Sequence, residues 1–178
     1  MTPAPPRPGG LRLRVTAVLG LRLTRSVFRI GQVTGLVYDH ALHRVTHLRV
    51  TLAGGEGSLA VPLSSVDFQA VNRDELRLRT WPRAPQTPGD GLPLDGLMVK
   101  ADEGDGVAFV HDAWFEPGSG DITSYELGAL PRRASRTGTV SVPAQVLECR
   151  DGHLFAPRLL IARLTAVLAG GLGAPALP

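Results

Sequence analysis

The chain has 178 residues, of which 43% are hydrophobic and only 5% aromatic, so its core must be built mainly from Val, Leu and Ile. The net charge of +3 is too small to predict nucleic-acid binding by itself, and 21 Gly and 15 Pro favour many short strands over long helices. The single cysteine, Cys149, excludes an intramolecular disulfide and indicates a reducing compartment; without a neighbouring motif it is interpreted as a structural thiol.

Charge is distributed in bands along the chain. Residues 1–38 contain six Arg and no acid, whereas residues 90–126 contain nine acids against Lys100 alone. Residues 127–178 return to a net charge of +4. A chain with this distribution can bind partners of either sign.

The N-terminal half predicts a tail followed by a first β domain. Residues 1–10 are rich in Pro and Gly and are predicted to be disordered, and the first domain covers residues 11–80. Alternation over Leu11–Val15 and Leu19–Thr24 favours strands, although a short helix over Val15–Leu21 also fits. Five further strands, with a turn at residues 39–43, are predicted at Gln32–Tyr38, Arg44–Leu52, Ser58–Leu63, Val66–Val71 and Glu75–Arg79.

The C-terminal half predicts a linker, a second β domain and a helix. Residues 81–91 contain three Pro and two Gly and are interpreted as the linker. Residues 92–157 form the second domain, and residues 158–178 hold a short apolar helix, Leu159–Leu168, and a tail. The strands of the second domain are predicted at Asp95–Lys100, Val107–Phe115, Ile122–Leu127, Thr139–Val142, Ala144–Glu148 and His153–Ala156.

No apolar stretch is long enough to span a bilayer. The best candidate, Leu159–Leu168, is interrupted by Arg163 and has about half of the roughly 20 residues that a span requires. The N-terminus does not show a signal-peptide pattern either. We therefore expect a cytoplasmic protein with no integral membrane span, whose helix packs across the β domains; the alternative is a helix that supports self-association.

One short pattern occurs twice. A strand that ends in Asp39 precedes Pro62 by 23 residues, and a strand that ends in Asp112 precedes Pro143 by 31. The repeat predicts that the two aspartates are equivalent, that each accepts hydrogen bonds from the N–H groups of a turn, and that each Pro lies at a strand end or edge. The eight additional residues of the second copy are assigned to a longer hairpin loop and to a basic loop at residues 131–138.

Both units resemble the PRC-barrel pattern: a Gly-containing strand that closes on Asp, a turn, an apolar strand, a Val-Pro strand and a terminal hairpin. In the first unit the resemblance is carried by Gly31, Gly35, Asp39, Val61, Pro62 and Val66. In the second unit it is carried by Asp95, Gly96, Gly106, Asp112, Gly120, Val142, Pro143 and Val146. The chain departs from the pattern in the first unit, which lacks the usual Gly between Asp39 and the next strand (His43-Arg44 stand there), and in the second unit at Ala108, which replaces a strand glycine.

The resemblance implies an all-β fold of two small, six-stranded, partly open antiparallel β-barrels with a short C-terminal helix. The family includes the cytoplasmic domain of the photosynthetic reaction centre H subunit, a ribosome-maturation factor and free-standing bacterial proteins, in which the barrel is a docking module and not an enzyme. The membrane helix of the H subunit and the Gly-rich motif of the maturation factor are not found in this sequence. The chain is similar to the free-standing kind, in tandem form.

Two polar clusters are weighed as metal sites and set aside. His40, His43 and His47 have metal-like spacing, but the turn between them and the lack of a fourth ligand favour surface histidines. The oxygen ligands at residues 112–121 do not follow the spacing of an EF-hand, and Gly, Ser and Asp are typical of hairpin loops. We therefore predict no metal and no cofactor.

Two basic stretches are the candidate binding residues: Arg132, Arg133 and Arg136 in the basic loop, and Arg12 and Arg14 near the N-terminus. Either could contact phosphate, although the aromatics expected for stacking on single strands are missing. The acidic residues 102–105 are a further candidate for a partner or self-association surface. No nucleophile elbow, phosphate-binding loop or zinc-protease motif is present, so an enzyme is not expected.

The sequence therefore predicts a non-enzymatic module that binds another protein, or a second copy of itself, through barrel edges and the surface between the barrels. The alternative is an RNA- or ribosome-associated factor that uses the basic loop and the N-terminal arginines. A third hypothesis is a peripheral subunit of a membrane or photosystem-like assembly, with Leu159–Leu168 as the contact.

Overall fold

The computed structural model describes residues 10–55, 57–69, 71, 74–81, 94, 96–101, 106–129, 139–151 and 153–170. Over these residues the chain is mostly strand and forms two curled sheets, each shaped like a half-barrel of six strands, with one further short strand added to the second sheet. The predicted all-β fold with two barrel-like units and a short C-terminal helix is therefore confirmed. The predicted tail at residues 1–10 and the predicted linker at residues 81–91 lie outside the described residues, except for Gly10 and Trp81.

The first sheet has the strand order β5-β4-β3-β2-β7-β6. It follows two short elements, β1 (Leu13–Arg14) and α1 (Val15–Val18). Its strands are β2 (Arg22–Arg25), β3 (Phe28–Asp39), β4 (Arg44–Leu52), β5 (Ser58–Pro62), β6 (Val66–Asp67) and β7 (Glu75–Leu78).

The second sheet repeats this arrangement in the order β11-β10-β9-β8-β13-β12. Its strands are β8 (Met98–Ala101), β9 (Gly106–Phe115), β10 (Ile122–Ala129), β11 (Val140–Pro143), β12 (Glu148–Arg150) and β13 (His153–Ala156). The chain continues into α2 (Arg158–Gly170).

The backbone hydrogen bonds define which residues of the two sheets are equivalent. Gly20 N–H donates to the Val33 carbonyl, and Gly96 N–H donates to the Val110 carbonyl, with a φ of 83° at both glycines. The β3–β4 pair and the equivalent β9–β10 pair also contain a bulge at the same position, at Thr46 and at Thr123. The Thr46 hydroxyl donates to the Val37 carbonyl, and the Thr123 hydroxyl donates to the Trp114 carbonyl. The sequence repeat is therefore a structural repeat down to its irregularities.

Not every strand pair is antiparallel as predicted. β2 pairs with β7 in parallel, and β8 pairs with β13 in parallel. The reason is that β5 runs through the 3₁₀ turn Leu63–Ser65 directly into β6, which lies at the other edge of the sheet. The β6–β7 hairpin thus places β7 beside β2, and the two strands run in the same direction. In the second unit the chain crosses at the 3₁₀ turn Ala144–Val146, and β13 lies parallel to β8 in the same way.

The apolar faces of the two curled sheets contribute to one hydrophobic cluster. Val33, Leu48 and Val50 are buried in the first unit, as period-two alternation along β3 and β4 predicts. Phe68 of the first unit packs edge-to-face against Phe115 of the second, with 6.3 Å between ring centroids. The two units are therefore joined by core packing as well as by the chain.

The N-terminal strand joins the second sheet and not the first, within which it was predicted. β1 pairs with β9, with Leu13 opposite Phe115 and Arg14 opposite Trp114. β8 pairs only with the first half of β9, so the backbone groups near Phe115 need another partner, and β1 supplies it. α1 packs on the same strand.

Two predicted strands differ from the structure. Ala144–Glu148 is a 3₁₀ turn that leads into β12, and Val66–Val71 is a strand only over Val66–Asp67. Ala144 directly follows Pro143, where the chain crosses from one sheet edge to the other and cannot stay extended. β6 ends early because the chain turns towards β7, with Val71 N–H donating to the Phe68 carbonyl and Asp74 N–H to the Val71 carbonyl. The predicted helix at Leu159–Leu168 is present as α2, and its buried Leu160 and Leu164 face β10 and β11.

Candidate binding surfaces

The two units meet at equivalent positions, which gives the junction an approximate two-fold symmetry. Val45 N–H donates to the Gly120 carbonyl, and Ile122 N–H donates to the His43 carbonyl; the N···O distance is 2.8 Å in both hydrogen bonds. Arg44 and Asp121 form the isolated antiparallel bridge between these bonds, and their side chains form an ion pair of 2.7 Å. The pairing of β4 with β5 and of β10 with β11 shows that these two residues are themselves equivalent.

Gly120 is required at this junction by close backbone approach. Its φ is 80°, and a Cβ at this position would lie 2.1 Å from the Val45 carbonyl oxygen. The equivalent position in the first unit is His43, which also has a positive φ, of 48°. Its side chain points across the junction, where Nδ1 lies 2.9 Å from the Tyr125 hydroxyl oxygen.

A polar cluster surrounds His43. Burial lowers the pKa of His43 below its ordinary value of 6.5; a hydrogen bond to the Leu147 carbonyl acts in the opposite direction, and the nearby His40 lowers it further. Burial raises the pKa of both Tyr38 and Tyr125, so both phenols are neutral at physiological pH. The cluster therefore carries little charge near neutrality and stabilises the junction through hydrogen bonds and ring contacts.

Asp112 does not have the predicted turn role, and this part of the sequence interpretation is wrong. It lies within β9, three residues before the strand ends, and is buried. Its carboxylate accepts hydrogen bonds from the Thr16 hydroxyl at 2.6 Å and from the N–H groups of Thr16 and Ala113. Asp112 thus anchors α1 to the second sheet.

Asp39 and Asp112 are also not equivalent. Because Val33 corresponds to Val110, Asp112 corresponds to Gly35, and Asp39 corresponds to Glu116. Asp39 lies at the end of β3, where its carboxylate accepts a hydrogen bond from Leu42 N–H, as expected for a turn. The two aspartates are therefore unlike in position and in role.

The equivalences also correct the predicted insertions. Tyr38 pairs with Val45, and the equivalent Phe115 pairs with Ile122, seven residues apart in both units, so the hairpin loop of the second unit is not longer. Val50 and Leu59 pair nine residues apart, whereas their equivalents Leu127 and Val140 pair thirteen apart. The additional length thus falls before β11, in the segment that contains the predicted basic loop.

Pro62 and Pro143 occupy equivalent strand ends. Each is the last residue of its strand, and each immediately precedes a 3₁₀ turn. The φ that the proline ring imposes, −57° and −56° here, suits this entry into the turn.

The predicted basic residues do not form one surface in the described part of the chain. Arg132, Arg133 and Arg136 lie outside the described residues. Arg12 is exposed before β1. The side chain of Arg14 instead contacts the second sheet. Its guanidinium forms an ion pair of 2.7 Å with Glu126 and lies 4.9 Å from the centre of the Trp114 ring.

Arg14 therefore has a structural partner that the sequence interpretation missed. Glu126 is buried and also accepts hydrogen bonds from Trp114 Nε1 and from the Thr139 hydroxyl. The sequence carries no signal of its burial, because Glu126 lies between Tyr125 and Leu127, at the alternate position where a polar residue is ordinary. Across the described residues, no group of three or more potential ligands is close enough to hold a metal ion.

A cleft of about 500 Å³ lies between the units and is the first candidate binding surface. β6, which is the edge strand of the first sheet, runs along it. Leu63, Val66 and Phe68 supply its apolar lining, while Asp67 and Arg79, paired over 3.1 Å, supply charge. The hairpin loop Glu116–Gly118 of the second unit faces β6 across the cleft.

The tip of the β2–β3 hairpin is the second candidate surface. We call it the apolar tip and define it as Val27, Phe28 and Trp81. Val27 is 90% exposed and Phe28 is 72% exposed, although both are large apolar residues. Phe28 and Trp81 line a depression of about 410 Å³ together with Arg25. Sequence reasoning missed this surface because it placed Trp81 in the linker and counted aromatics only beside the predicted basic loops.

None of the helices in the described part of the chain combines the length and the apolar character needed to cross a membrane. No protein-family model matches the sequence, and the search of curated proteins gives no match.

Proposed function

We propose that this chain is a non-enzymatic, cytoplasmic protein-binding module, a tandem PRC-barrel-like protein that binds an extended segment of a partner in the cleft between its units. The observation that supports the proposal is the position of the cleft along the edge strand β6. An edge strand presents backbone N–H and C=O groups that can pair with an added strand.

The lining of the cleft matches the needs of peptide binding. Its apolar floor can take alternate side chains of an extended segment, and its charged rim can fix the register. The backbone N–H of Gln69 and the guanidinium of Arg79 lower the pKa of Asp67, so the rim keeps both a negative and a positive group at neutral pH. A partner with mixed charge and alternating apolar residues fits this surface best.

The test is affinity capture from lysate with two glycine variants. Gly118 lines the cleft, Gly54 lies in a different hairpin, and neither glycine has a heavy atom within 4 Å of an added Cβ. Gly118→Trp should fill the cleft and lose the captured protein, whereas the matched control Gly54→Trp should retain it. Retention of the partner by Gly118→Trp would overturn the cleft as the site.

Nuclease treatment of the same lysate separates the alternative function. A partner that remains after nuclease, with no retained RNA, supports the protein-binding module. Retained RNA that Arg12→Glu releases would support the RNA- or ribosome-associated factor instead. The third hypothesis relied on α2, but Leu160 and Leu164 are buried in this structure, so only its other face could serve a membrane assembly.

A further inference from the structure

We propose that the apolar tip docks the protein on an anionic membrane surface, as a peripheral contact that shares no residue with the cleft. The inference concerns a different ligand from the protein partner proposed above and does not depend on it. The fold leaves two adjacent apolar residues, Val27 and Phe28, exposed at the tip.

The tip does not serve the core. β2 and β3 are joined by a two-residue turn, Ser26-Val27, since Arg25 pairs with Phe28. Ser26 has a φ of 55°, a conformation that such turns usually give to Gly, Asn or Asp. Ser26 is therefore a less favourable residue for this turn than Gly, Asn or Asp. The next residue, Val27, is a bulky apolar residue at the exposed end of the hairpin.

The two charged residues next to the tip on its own hairpin are both positive. Arg25 and Arg29 flank Val27 and Phe28, both are exposed, and neither forms an ion pair within the described residues. Residues 1–38 contain no acid at all. Arginines beside a membrane surface are attracted to anionic lipids, and this attraction adds to the insertion of apolar side chains.

The aromatic residues have the arrangement expected at a bilayer interface. Trp81 is 43% exposed and lies with Phe28 and Ile30 around the depression, with Arg25 at its rim. Trp in particular favours the headgroup region, where its ring meets apolar atoms and its N–H meets polar ones. The depression can receive an anionic headgroup, whose charge complements the arginine at the rim.

The shape of the tip favours a membrane over a protein groove as the occupant. Val27 projects from the end of a two-residue turn and touches little of its own protein. A soft lipid interface can receive such a projection without a complementary pocket, whereas a protein partner would need a groove of matching shape. The two exposed arginines, Arg25 and Arg29, complement the negative charge of an anionic leaflet.

The experiment is co-sedimentation of the full chain with vesicles. Wild type should sediment with vesicles of phosphatidylglycerol and phosphatidylcholine and should stay in solution with phosphatidylcholine alone. Val27→Ser/Phe28→Ser should weaken the partition by about tenfold or more, because two apolar side chains no longer insert. Arg25→Glu/Arg29→Glu should weaken it comparably, and added salt should lower the binding of wild type.

The matched control is Leu42→Ser, which removes an equally large apolar residue, 62% exposed, from the turn between β3 and β4. This variant should sediment like wild type. Acrylamide quenching gives a second readout: anionic vesicles should protect the fluorescence of wild type and should protect that of Trp81→Phe much less. The proposal would be overturned if wild type did not sediment with anionic vesicles, or if Leu42→Ser lost as much vesicle binding as the tip variants. It would also be overturned if the tip variants lost a captured protein while wild type did not bind vesicles.

Discussion

Single residues decide how closely the two units approach. Gly120 lies where the backbones of β4 and of the second hairpin loop touch, and only a residue without Cβ fits. His43 occupies the equivalent position and projects its ring across the junction to Tyr125. The same position of the repeat is thus a glycine that allows close backbone approach in the second unit, Gly120, and a hydrogen-bonding side chain in the first, His43.

Gly120→Ala should destabilise the protein by about 2–4 kcal/mol, because Ala is strained at this φ and its methyl group collides with a carbonyl oxygen. Urea unfolding measures the change. Gly54→Ala is the control, since nothing lies near its added Cβ, and it should change the free energy of unfolding by less than about 0.5 kcal/mol. Equal effects in the two variants would contradict the role of Gly120.

Acid should weaken the fold through His43. Burial lowers the pKa of His43, so on acidification the unfolded chain binds its proton before the folded protein does. The contribution is therefore fully present above the ordinary value of 6.5 and is lost as the pH falls below it. Urea unfolding across this range should show the loss, and His43→Asn should flatten the profile.

His47 supplies the internal comparison for that experiment. Its pKa is also lowered by burial, so it contributes in the same direction, but it lies within β4 and away from the junction. His47→Asn should flatten the profile as well, without the loss of the contact to Tyr125. A profile that neither variant changes would contradict the assignment.

At the scale of elements, the N-terminal segment fastens the second sheet. β1 pairs with the part of β9 that lies beyond its pairing with β8, and α1 packs on β9. The Thr16 hydroxyl donates a hydrogen bond to the buried carboxylate of Asp112. Arg14 adds its ion pair to Glu126. A segment that precedes the first unit in the chain is therefore part of the second.

Thr16→Val should cost about 1–3 kcal/mol of stability, because the buried Asp112 carboxylate loses a hydrogen-bond donor that water cannot easily replace. Thr34→Val is the matched control, since the Thr34 hydroxyl bonds only on the exposed surface of β3 and β4. Chemical denaturation compares the two. A Thr34 variant that loses as much stability as the Thr16 variant would argue against a special role for the segment.

At the scale of the whole molecule, the two sheets should unfold together. The shared core, the backbone bridge at the junction and the N-terminal strand all couple the units. Calorimetry should show one transition in which the calorimetric and van't Hoff enthalpies agree. Two resolved transitions, one for each unit, would show that these contacts are too weak to couple them.

Much of the fold was predictable from local signals. The turn at residues 39–43 and the strand Arg44–Leu52 follow from alternation and turn residues, and β13 was predicted with the bounds that it has. The parallel pairs were not predictable, because they depend on where the chain goes after a Val-Pro pair. The register of the repeat was misjudged because Tyr38-Asp39 and His111-Asp112 look alike in sequence, although Asp39 corresponds to Glu116 in the structure.

The candidate sites were less predictable than the fold. Arg14 and Asp112 were identified as notable residues, but their partners, Glu126 and Thr16, are 112 and 96 residues away in sequence. Only the fold brings such groups together. The exposure of Val27 and Phe28 also depends on tertiary structure, since in sequence they look like ordinary strand residues.

The ion pair between Arg44 and Asp121 has a consequence for partner choice. A true two-fold axis would place identical side chains against each other, and two copies of either unit would bring together two arginines or two aspartates. Like charges would then repel across the axis in both homotypic pairings, whereas the mixed pairing attracts. Divergence at this one position thus favours the pairing of the two different halves over the pairing of two copies of the same half, by the modest amount that a half-exposed ion pair can contribute.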